Sequence, residues 1–546
     1  MKKFMCTVLS IGMLASCLGA TACGRASSDE SGTTTITVGT YDGGLGLGWL
    51  EDAADRFMTK HARTKFDNVN EGVTVKVRSA DPGDELAKNS LDKDVYLTEA
   101  MNYFEMQSQG KLANISDIVL GENASLATYG EDKTIADKLN SQFKSFLTAK
   151  DGEYYAIPFY EGFHGFIYDA DMFALKGWYF NENGSFTSTD KSTGVDGKAG
   201  TYDDGLPKTY AQFKQLLDKI RKDSVKPLIY SRETTDYFIK ALASFWADYE
   251  GKDKMLLNWS FEGETDVISS FDGDGNPVIT TTTIGETNIR DLQKQPGKYY
   301  ALSFLKDVLM SNGGNYESAT DFHAAQFGML QSCLAGEMQP EPVAMVLDGS
   351  WFENEADIRD IFDEVQGYDD YSGDDYKKYR NLAFMPIPMV DDSAQTLEAG
   401  SKNENGTHKQ TMVSANDSFC FINAGTSGAK LAAAKEFLKF LHTEAELCTF
   451  NLTTSVTRPY TYTVTETMRE GMSYYGRTLL EMREASDIVY PYSSNQFYVR
   501  NASQYLLTAS WKAEVGKQSA ANPFNFLRVN EDVTARSYFE GLYLAN

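Results

Sequence analysis

The sequence predicts an α/β protein, and the clearest signs of this class lie near its beginning. Residues 35–41, TITVGTY, are rich in β-branched side chains and predict a strand. Apolar residues recur at i, i+3, i+4 and i+7 over residues 50–57, which predicts a helix with one buried face. Residues 72–79, GVTVKVRS, alternate valine with other side chains and predict a second strand. Strand, helix and strand at this spacing are typical of a sheet with largely parallel strands.

Further elements follow along the chain. Residues 94–100, DVYLTEA, predict a buried strand that leads into a helix ending near Gly110. Residues 154–173 contain two short, apolar, strand-like runs separated by YEGFHG. Helices are predicted over 209–222 and 429–442, strands over 381–390 and 417–425, and a hairpin or loop over 271–283. A chain of 546 residues with this many elements predicts about two to four domains.

The composition argues against some classes of function. The formal net charge is −26, and a nucleic-acid surface needs clustered Lys and Arg, so no nucleic-acid partner is predicted. The chain contains 31 Tyr and 32 Phe, which suits a site that binds polar ligands through flat apolar faces. A large core explains the same aromatic content, and composition alone favours that explanation.

The N-terminus carries the features of an export signal. MKK is a positive n-region, and FMCTVLSIGMLAS is an apolar h-region too short to span a bilayer. Small residues precede Cys17 and Cys23, which resembles the lipobox of bacterial lipoproteins, where the cysteine is acylated. LASC, ending at Cys17, fits the usual pattern better, but Cys23 is followed by a polar tether and is preferred. The expected division is a signal peptide over 1–22 and a lipid-anchored tether over 23–34; plain secretion after Ala22 is the alternative.

No enzyme motif is present. The five histidines lack the spacing of a zinc site, and the glycines of residues 42–48 lack the Lys and Ser/Thr of a phosphate-binding loop. A pair of carboxylates could serve a glycosidase, but with 77 acidic residues such a pair is no signal. The sequence therefore predicts that the protein is not an enzyme.

Binding is better supported, because three clusters of aromatic and polar residues each follow a predicted strand. Sugars present hydroxyl edges and apolar ring faces, so their sites combine aromatic rings with acidic side chains. The clusters are Tyr41, Asp42 and Trp49; Tyr160, Glu161, Phe163 and His164; and Trp351, Glu353 and Glu355. Each cluster alone more often reflects packing than ligand contact, and Glu353 and Glu355 could instead cap or solvate the following helix. The shared layout is what favours a ligand site.

The order of these segments resembles one family. ITVGTYDGGLGLGWLEDAADRF, VAMVLDGSW and AAKEFLKFLHTEAEL resemble segments of the extracellular solute-binding proteins of ABC importers, in the maltose-binding-like, oligosaccharide-binding branch. The likeness covers nearly all of the chain after the tether, and the insertions at 181–206 and 260–290 resemble the larger members. It implies a two-lobed, periplasmic-binding-protein-like (type II) α/β fold with a hinge and an interlobe ligand cleft. Lobe 1 would comprise 35–160 and 411–455, and lobe 2 would comprise 161–410 and 456–546.

The resemblance also implies roles and partners. Glu161 would face the cleft and Trp351 would stack on a sugar ring, while Phe497 and Tyr498 would contact ligand near the C-terminus. Tyr41, Asp42, Trp49, Phe163 and His164 complete the expected ligand-binding set. The implied partners are an oligosaccharide and the permease subunits of an ABC transporter, and the implied state is a monomer held by lipid at the extracellular face of the membrane. A non-sugar solute, such as a peptide or polyamine, and a lipid-anchored glycan-degrading enzyme remain the alternatives.

No cofactor is predicted, although one loop resembles a calcium site of some larger members. It lies in the insertion at 181–206 and contains Asp196, Asp203 and Asp204. The spacing lacks the alternation and final Glu of an EF-hand, and a solvated loop is the alternative.

Overall fold

The computed structural model describes most of the chain after the tether. The described residues are 32–99, 101–121, 126–149, 151–334, 342–367, 378–390, 408–414, 418–491, 513–515, 518–520 and 522–544. The predicted signal peptide, Cys17 and Cys23 lie outside them, as do Phe497 and Tyr498. Among the described residues no helix combines the length and the apolar character needed to cross a membrane.

The described residues form the following regular elements. The strands are β1 (Thr34–Thr40), β2 (Val73–Ser79), β3 (Val95–Thr98), β4 (His164–Asp169), β5 (Tyr179–Phe180), β6 (Phe186–Thr187), β7 (Lys226–Ser231), β8 (Gly263–Phe271), β9 (Pro277–Ile284), β10 (Tyr316–Ala319), β11 (Val343–Gly349), β12 (Leu382–Phe384), β13 (Thr411–Val413), β14 (Phe419–Ile422), β15 (Asp487–Val489), β16 (Ala513–Val515) and β17 (Gln518–Ala520). The α-helices are α1 (Gly48–Lys60), α2 (Pro82–Lys88), α3 (Tyr103–Ser108), α4 (Ser116–Leu120), α5 (Ile135–Lys138), α6 (Ser141–Leu147), α7 (Ala170–Lys176), α8 (Tyr210–Lys222), α9 (Asp236–Ser260), α10 (Pro296–Ser303), α11 (Phe322–Ser332), α12 (Phe352–Ile358), α13 (Ile361–Gln366), α14 (Gly428–Leu441), α15 (Glu444–Thr454), α16 (Glu466–Glu470), α17 (Tyr474–Ala485), α18 (Pro523–Val529) and α19 (Ala535–Phe539). Short 3₁₀ turns span Leu126–Tyr129, Ile289–Lys294 and Ser311–Gly313, and π turns span Phe304–Leu309 and Glu540–Leu544.

The first sheet has the order β14-β3-β1-β2. β1 runs parallel to β2 and β3, whereas β14 joins from far along the chain and runs antiparallel to β3. The predicted face of α1 is buried, including Leu50, Ala53, Ala54 and Phe57. Phe57 packs edge-on against Phe437 of α14, at 5.1 Å between ring centroids, so both predicted helices belong to one core.

The second sheet has the order β10-β7-β11-β4-β12. β7 runs parallel to β10 and β11, whereas β4 runs antiparallel to β11 and β12. α8 packs its predicted apolar face against this sheet, and the ring centroids of Phe213 on α8 and Phe166 on β4 are 5.7 Å apart. The long α9 contains a non-helical residue, Gly251, at φ 76°, a left-handed conformation that glycine adopts without a Cβ clash.

The chain passes from the first sheet to the second between β3 and β4, and returns between β12 and β14. The first crossover differs from the prediction, because only the second of the two runs in 154–173 forms a strand. In the first run, Ile157 makes an isolated bridge to Cys420, and Phe159 and Tyr160 donate their N–H groups to Ser418 Oγ, both at 2.8 Å. Where the chain changes sheets, one isolated β-bridge and two bonds to a serine side chain thus take the place of a continuous series of strand hydrogen bonds.

Two other expectations are refined. The strand expected over 381–390 ends at Phe384, because Pro386 and Pro388 cannot donate to a ladder. Residues 271–283 fall in an antiparallel β8–β9 hairpin, whose turn is held by Asp272 accepting from the Asp274 and Asn276 N–H groups. The lobe boundaries remain predictions.

Candidate functional site in the interlobe cleft

The glycine-rich loop after β1 lies directly against the second lobe. Gly44 accepts a hydrogen bond from Asn354 Nδ2 of α12 at 2.7 Å. A Cβ on Gly44 would lie 2.8 Å from Trp351, and one on Gly46 would lie 3.1 Å from Ile358. Gly46 also has φ +64°, so this loop needs glycine both for its backbone conformation and for its approach to α12.

Trp351 ends the turn after β11 and is the N-cap of α12. Its side chain contacts the His164 ring at 5.0 Å and the Tyr237 ring at 6.1 Å, in both cases edge-to-face. The His164 and Tyr237 rings are 4.4 Å apart. We call Trp351, His164 and Tyr237 the aromatic cluster; it belongs to the second lobe and touches Gly44 of the first.

Three carboxylates gather beside this cluster: Glu99 after β3, Asp348 on β11 and Glu355 on α12, which we call the interlobe carboxylates. Gln326 Nε2 of α11 donates to Asp348 at 3.1 Å and to Glu355 at 3.0 Å. Glu99 reaches the site from the first lobe, remains exposed, and accepts from the Tyr160 hydroxyl at 2.9 Å. Acidic side chains from both lobes therefore meet in the cleft.

Burial and neighbouring charges shift the pKa values of Asp348, Glu99 and Tyr237. Burial and the neighbouring charge of Glu355 raise the pKa of Asp348 to about 7. The pKa of Glu99 is also raised, first by the protein atoms that crowd it and also by the charge of Glu355. Burial raises the pKa of Tyr237, and the charges of Asp348, Glu355 and Glu99 raise it further. The Tyr237 hydroxyl thus lies within the field of all three carboxylates.

The space at the lobe contact is small. A cavity of about 10 Å³ at the edge of the first sheet is lined in part by Tyr41, Trp49, Glu99 and Phe159. A second cavity of about 10 Å³ lies beside His164, between α9 and residues 384–387. Each has room for about one water molecule.

Of the first-lobe residues predicted to bind ligand, Tyr41 and Trp49 line the cavity at the edge of the first sheet. Tyr41 and Asp42 are exposed, and Tyr41 is 52% accessible. Trp49 is buried within α1, stacked on Phe159 at 6.5 Å and edge-on to Phe450 at 4.8 Å. Its ring packs mainly inside the first lobe and reaches the cavity with one edge.

Glu161 and Phe163 have internal partners. Glu161 accepts from Arg483 Nε at 2.8 Å and from the Tyr490 hydroxyl, and its side chain is fully buried. Phe163 is buried, and its main chain bonds to Ser350: its N–H donates to Ser350 Oγ and its carbonyl accepts from the Ser350 N–H. The Phe163 bonds hold the crossover against the turn that carries Trp351, and the Glu161 bonds hold it against Arg483 and Tyr490. Roles in ligand binding stay predictions for both residues.

One expectation, that Glu353 and Glu355 cap α12 or lie on its solvent-exposed surface, is wrong. Neither side chain caps the helix, and both have partners elsewhere in the fold. Glu353 accepts from Ser455 Oγ at 3.0 Å and Ser473 Oγ at 2.6 Å, on segments far away in sequence. Glu355 is buried between Gln326 and Arg359. Tertiary donors therefore satisfy both carboxylates, which a helix surface alone does not provide.

The aspartates of the insertion bind the main chain of their own loop, and calcium there stays a prediction. Asp203 is fully buried, and its carboxylate accepts from the N–H groups of Val195 and Asp196 and from Thr201 Oγ1, at 2.6 to 2.9 Å. Asp204 accepts from the Gly200 N–H at 2.6 Å. In the part of the chain that the structure describes, no three His, Cys, Asp or Glu side chains are grouped to hold a metal.

We therefore expect calcium to leave the stability unchanged. A ligand that binds only the native state raises the unfolding midpoint, so Tm in a chelator, in calcium and in magnesium should coincide. Differential scanning fluorimetry checks this, and a rise in Tm with calcium alone would confirm the calcium prediction for Asp196, Asp203 and Asp204.

Several site residues were missed by sequence reasoning. Glu99 and Asp348 lie at the carboxyl ends of β3 and β11, a position typical of ligand sites in α/β sheets, so strand ends could have indicated them. Tyr237 and Gln326 lie on helices, where no local pattern separates them from surface residues.

Comparisons with known proteins agree with this architecture. No protein-family model matches the chain, and no curated protein matches it significantly in sequence. Among solved structures, apo RafE from Streptococcus pneumoniae is similar with a TM-score of 0.53 at 12% identity, over 95% of this chain and 98% of that one. The solute-binding protein RafE in complex with raffinose is similar with a TM-score of 0.50 at 13% identity, over 94% of this chain and 99% of that one. UgpB from Mycobacterium tuberculosis in complex with glycerophosphocholine is similar with a TM-score of 0.51 at 12% identity, over 93% of this chain and 96% of that one. The predicted two-lobed, periplasmic-binding-protein-like fold is confirmed.

Proposed function

We propose that this chain is the extracellular substrate-binding component of an ABC transporter, which captures a carbohydrate and delivers it to a membrane permease. One observation carries the proposal: the aromatic cluster and the interlobe carboxylates meet at the contact between the two lobes, at the ends of β3 and β11. Aromatic rings beside acidic acceptors suit a ligand with apolar ring faces and hydroxyl edges.

The mechanism is closure of the lobes. Gly44 of the first lobe touches Trp351 and bonds to Asn354 of the second, so these contacts form only when the lobes are together. A ligand held by both lobes favours the closed state by the difference between its affinities for the closed and open states. Closure then presents one surface to the permease.

No catalytic step is needed for this function. Asp348 and Glu355 share the amide of Gln326, whereas a glycosidase places two carboxyl groups on either side of the scissile bond. This sharing supports binding over hydrolysis and argues against the glycan-degrading alternative.

The ligands of the structural neighbours support a carbohydrate ligand for this chain only in part. RafE binds raffinose and UgpB binds glycerophosphocholine, so this fold accommodates a sugar in one protein and a different solute in another. The aromatic cluster favours a sugar for this chain, and a non-sugar solute remains the second candidate. The same proposal includes export by the signal peptide 1–22, lipid anchoring at Cys23 to the extracellular face of the membrane, and a monomeric state.

Tryptophan fluorescence tests the carbohydrate proposal. The purified protein is titrated with plant and host oligosaccharides, and each sugar is afterwards checked for cleavage. We expect a saturable change with at least one uncleaved sugar, and its loss in Trp351→Ala. Trp178→Phe is the matched control, because it removes a tryptophan outside the predicted ligand-binding set; its indole N–H donates to Asp223 at 2.7 Å. Calorimetry of both variants separates lost binding from lost signal; cleaved sugar, or no sugar bound, would contradict the proposal.

A further inference from the structure

The first turn of α12 makes hydrogen bonds to two separate segments of the first lobe. Asn354 Nδ2 donates at 2.7 Å to the carbonyl of Gly44, which lies in the loop after β1. Glu353 Oε2 accepts from Ser455 Oγ at 3.0 Å, and Ser455 directly follows α15, a helix that packs on α1. Neighbouring residues of one short helix therefore bond the second lobe to the first.

Each of these bonds lies beside a glycine that lets the two lobes come close. A Cβ on Gly44 would lie 2.8 Å from the Trp351 ring, and a Cβ on Gly476 of α17 would lie 2.7 Å from Ser455 Oγ. Both distances are shorter than atoms in a packed interior tolerate, so any other residue at either position would push the lobes apart or displace its neighbour. The lobes thus meet through a fitted contact.

Ser455 keeps a side chain where the backbone favours glycine. Its φ is +58°, in the left-handed region, and it caps the C-terminus of α15. Helices commonly end on glycine in this conformation, because a Cβ is unfavourable there. Serine differs from glycine by a hydroxymethyl group, and its hydroxyl makes the bond to Glu353. The bond between the lobes is a physical reason for serine at this position.

The same contacts cover Trp351. Gly44 lies against its ring, His164 and Tyr237 lie edge-to-face with it, and only 8% of the residue is accessible. His164 and Tyr237 belong to the second lobe with Trp351, so Gly44 is the neighbour that leaves when the lobes separate. A sugar that stacks on this ring needs one of its faces and has to take the place of Gly44.

We infer that α12 is an interlobe latch: the bonds from Asn354 to Gly44 and from Ser455 to Glu353 hold the lobes together and keep the loop after β1 over Trp351. A ligand that stacks on Trp351 competes with this loop. Its measured dissociation constant is then the intrinsic value divided by the fraction of molecules with the latch open. The latch rests on contacts within the protein, whereas the competition rests on the proposed carbohydrate function.

Acrylamide quenching of Trp351 fluorescence tests the latch without any ligand. The Trp351 signal is the emission of each protein minus that of the same protein carrying Trp351→Phe. We expect Asn354→Ala and Ser455→Gly each to raise the quenching constant, because loss of one net hydrogen bond shifts the open-to-closed ratio about fivefold. Ser455→Gly suits the left-handed backbone, so it removes the hydroxyl without disturbing the end of α15.

Ser473→Ala is the matched control. Ser473 Oγ donates to the same Glu353 oxygen at 2.6 Å, but Ser473 is the N-cap of α17, which packs on the second sheet. Its loss removes a bond within the second lobe, so quenching of Trp351 should stay at the wild-type level. Calorimetry with maltotetraose and cellotetraose then tests the competition: a sugar that binds the wild type should bind Asn354→Ala more tightly.

The outcomes separate the latch from the proposed function. Unchanged quenching in Asn354→Ala and Ser455→Gly, with both variants folded by circular dichroism, overturns the latch. Raised quenching with equal or weaker binding of the sugar keeps the latch and overturns the competition. If neither sugar binds the wild type or the variants, the result counts against the carbohydrate proposal, and the quenching still decides the latch.

Discussion

Replacing Asp348 with asparagine is expected to make the protein more stable at pH 8, by roughly 2–4 kcal/mol. Burial and the charge of Glu355 raise the pKa of Asp348 from 3.8 to about 7. Asparagine has nearly the same shape and carries no charge to bury.

The direction in which pH changes the stability follows from the protons bound by the folded and unfolded chains. Between pH 3.8 and about 7, folded Asp348 holds a proton that the unfolded chain has released, so its contribution to stability falls as pH rises through this window. Below pH 3.8 Asp348 is protonated in both the folded and the unfolded state, so its ionisation no longer lowers the free energy of unfolding. The variant should therefore match the wild type near pH 4 and exceed it most at pH 8.

Urea unfolding at both pH values measures this difference, and Asp274→Asn serves as the control because its carboxylate is exposed. A wild type that is as stable as Asp348→Asn at pH 8 would show that the carboxylate is already compensated inside the protein. The expected gain in stability at pH 8 would mark Asp348 as a residue whose charge does not serve the stability of the fold.

Most of the fold was predictable because its periodicity is local. The apolar faces of α1 and α8 each come from one short window, and burial of Phe57 and Phe213 follows from that spacing. The first run of residues 154–173 was mistaken for a strand because apolar composition alone does not show what its N–H groups bond to. Ser418, which accepts two of them, lies about 260 residues away in sequence.

The candidate site was predictable only where it follows strands. Trp351 and His164 lie at the ends of paired β11 and β4, and their proximity follows once those strands are neighbours. Tyr237 and Gln326 come from α9 and α11, and their contact with the site depends on how those helices pack on the sheet. Partners of charged side chains were the least predictable, as Glu161 and Arg483, 322 residues apart, illustrate.

Removing the charge of Glu161 is expected to lower the free energy of unfolding by about 3–5 kcal/mol, because it leaves a largely buried cation without its anion. The Glu161 side chain is fully buried and accepts from Arg483 Nε at 2.8 Å and from the Tyr490 hydroxyl. Arg483 also donates to the Arg458 carbonyl at 3.1 Å. Burial disfavours the charged guanidinium, yet the charge of Glu161 raises the pKa of Arg483 above its ordinary value.

The matched control is an exposed pair. Lys88 and Asp84 lie 2.7 Å apart on α2 with most of the lysine accessible, and Asp84→Asn should leave the free energy of unfolding near that of the wild type. Glu161→Gln and Arg483→Gln should each be costly alone, and the double variant should lose less than the sum, because the second change removes the orphaned charge.

The same variants decide which role Glu161 has. If it holds the crossover, Glu161→Gln should unfold at lower urea concentration while the folded fraction keeps its affinity for ligand. If it contacts ligand, as the resemblance to solute-binding proteins implies, affinity should fall while the free energy of unfolding stays near that of the wild type. The two bonds from Arg483 and Tyr490 already occupy the carboxylate, so we expect the first result. We then expect ligand affinity in this cleft to depend on Trp351, and Glu161 to set the geometry of the chain that joins the lobes.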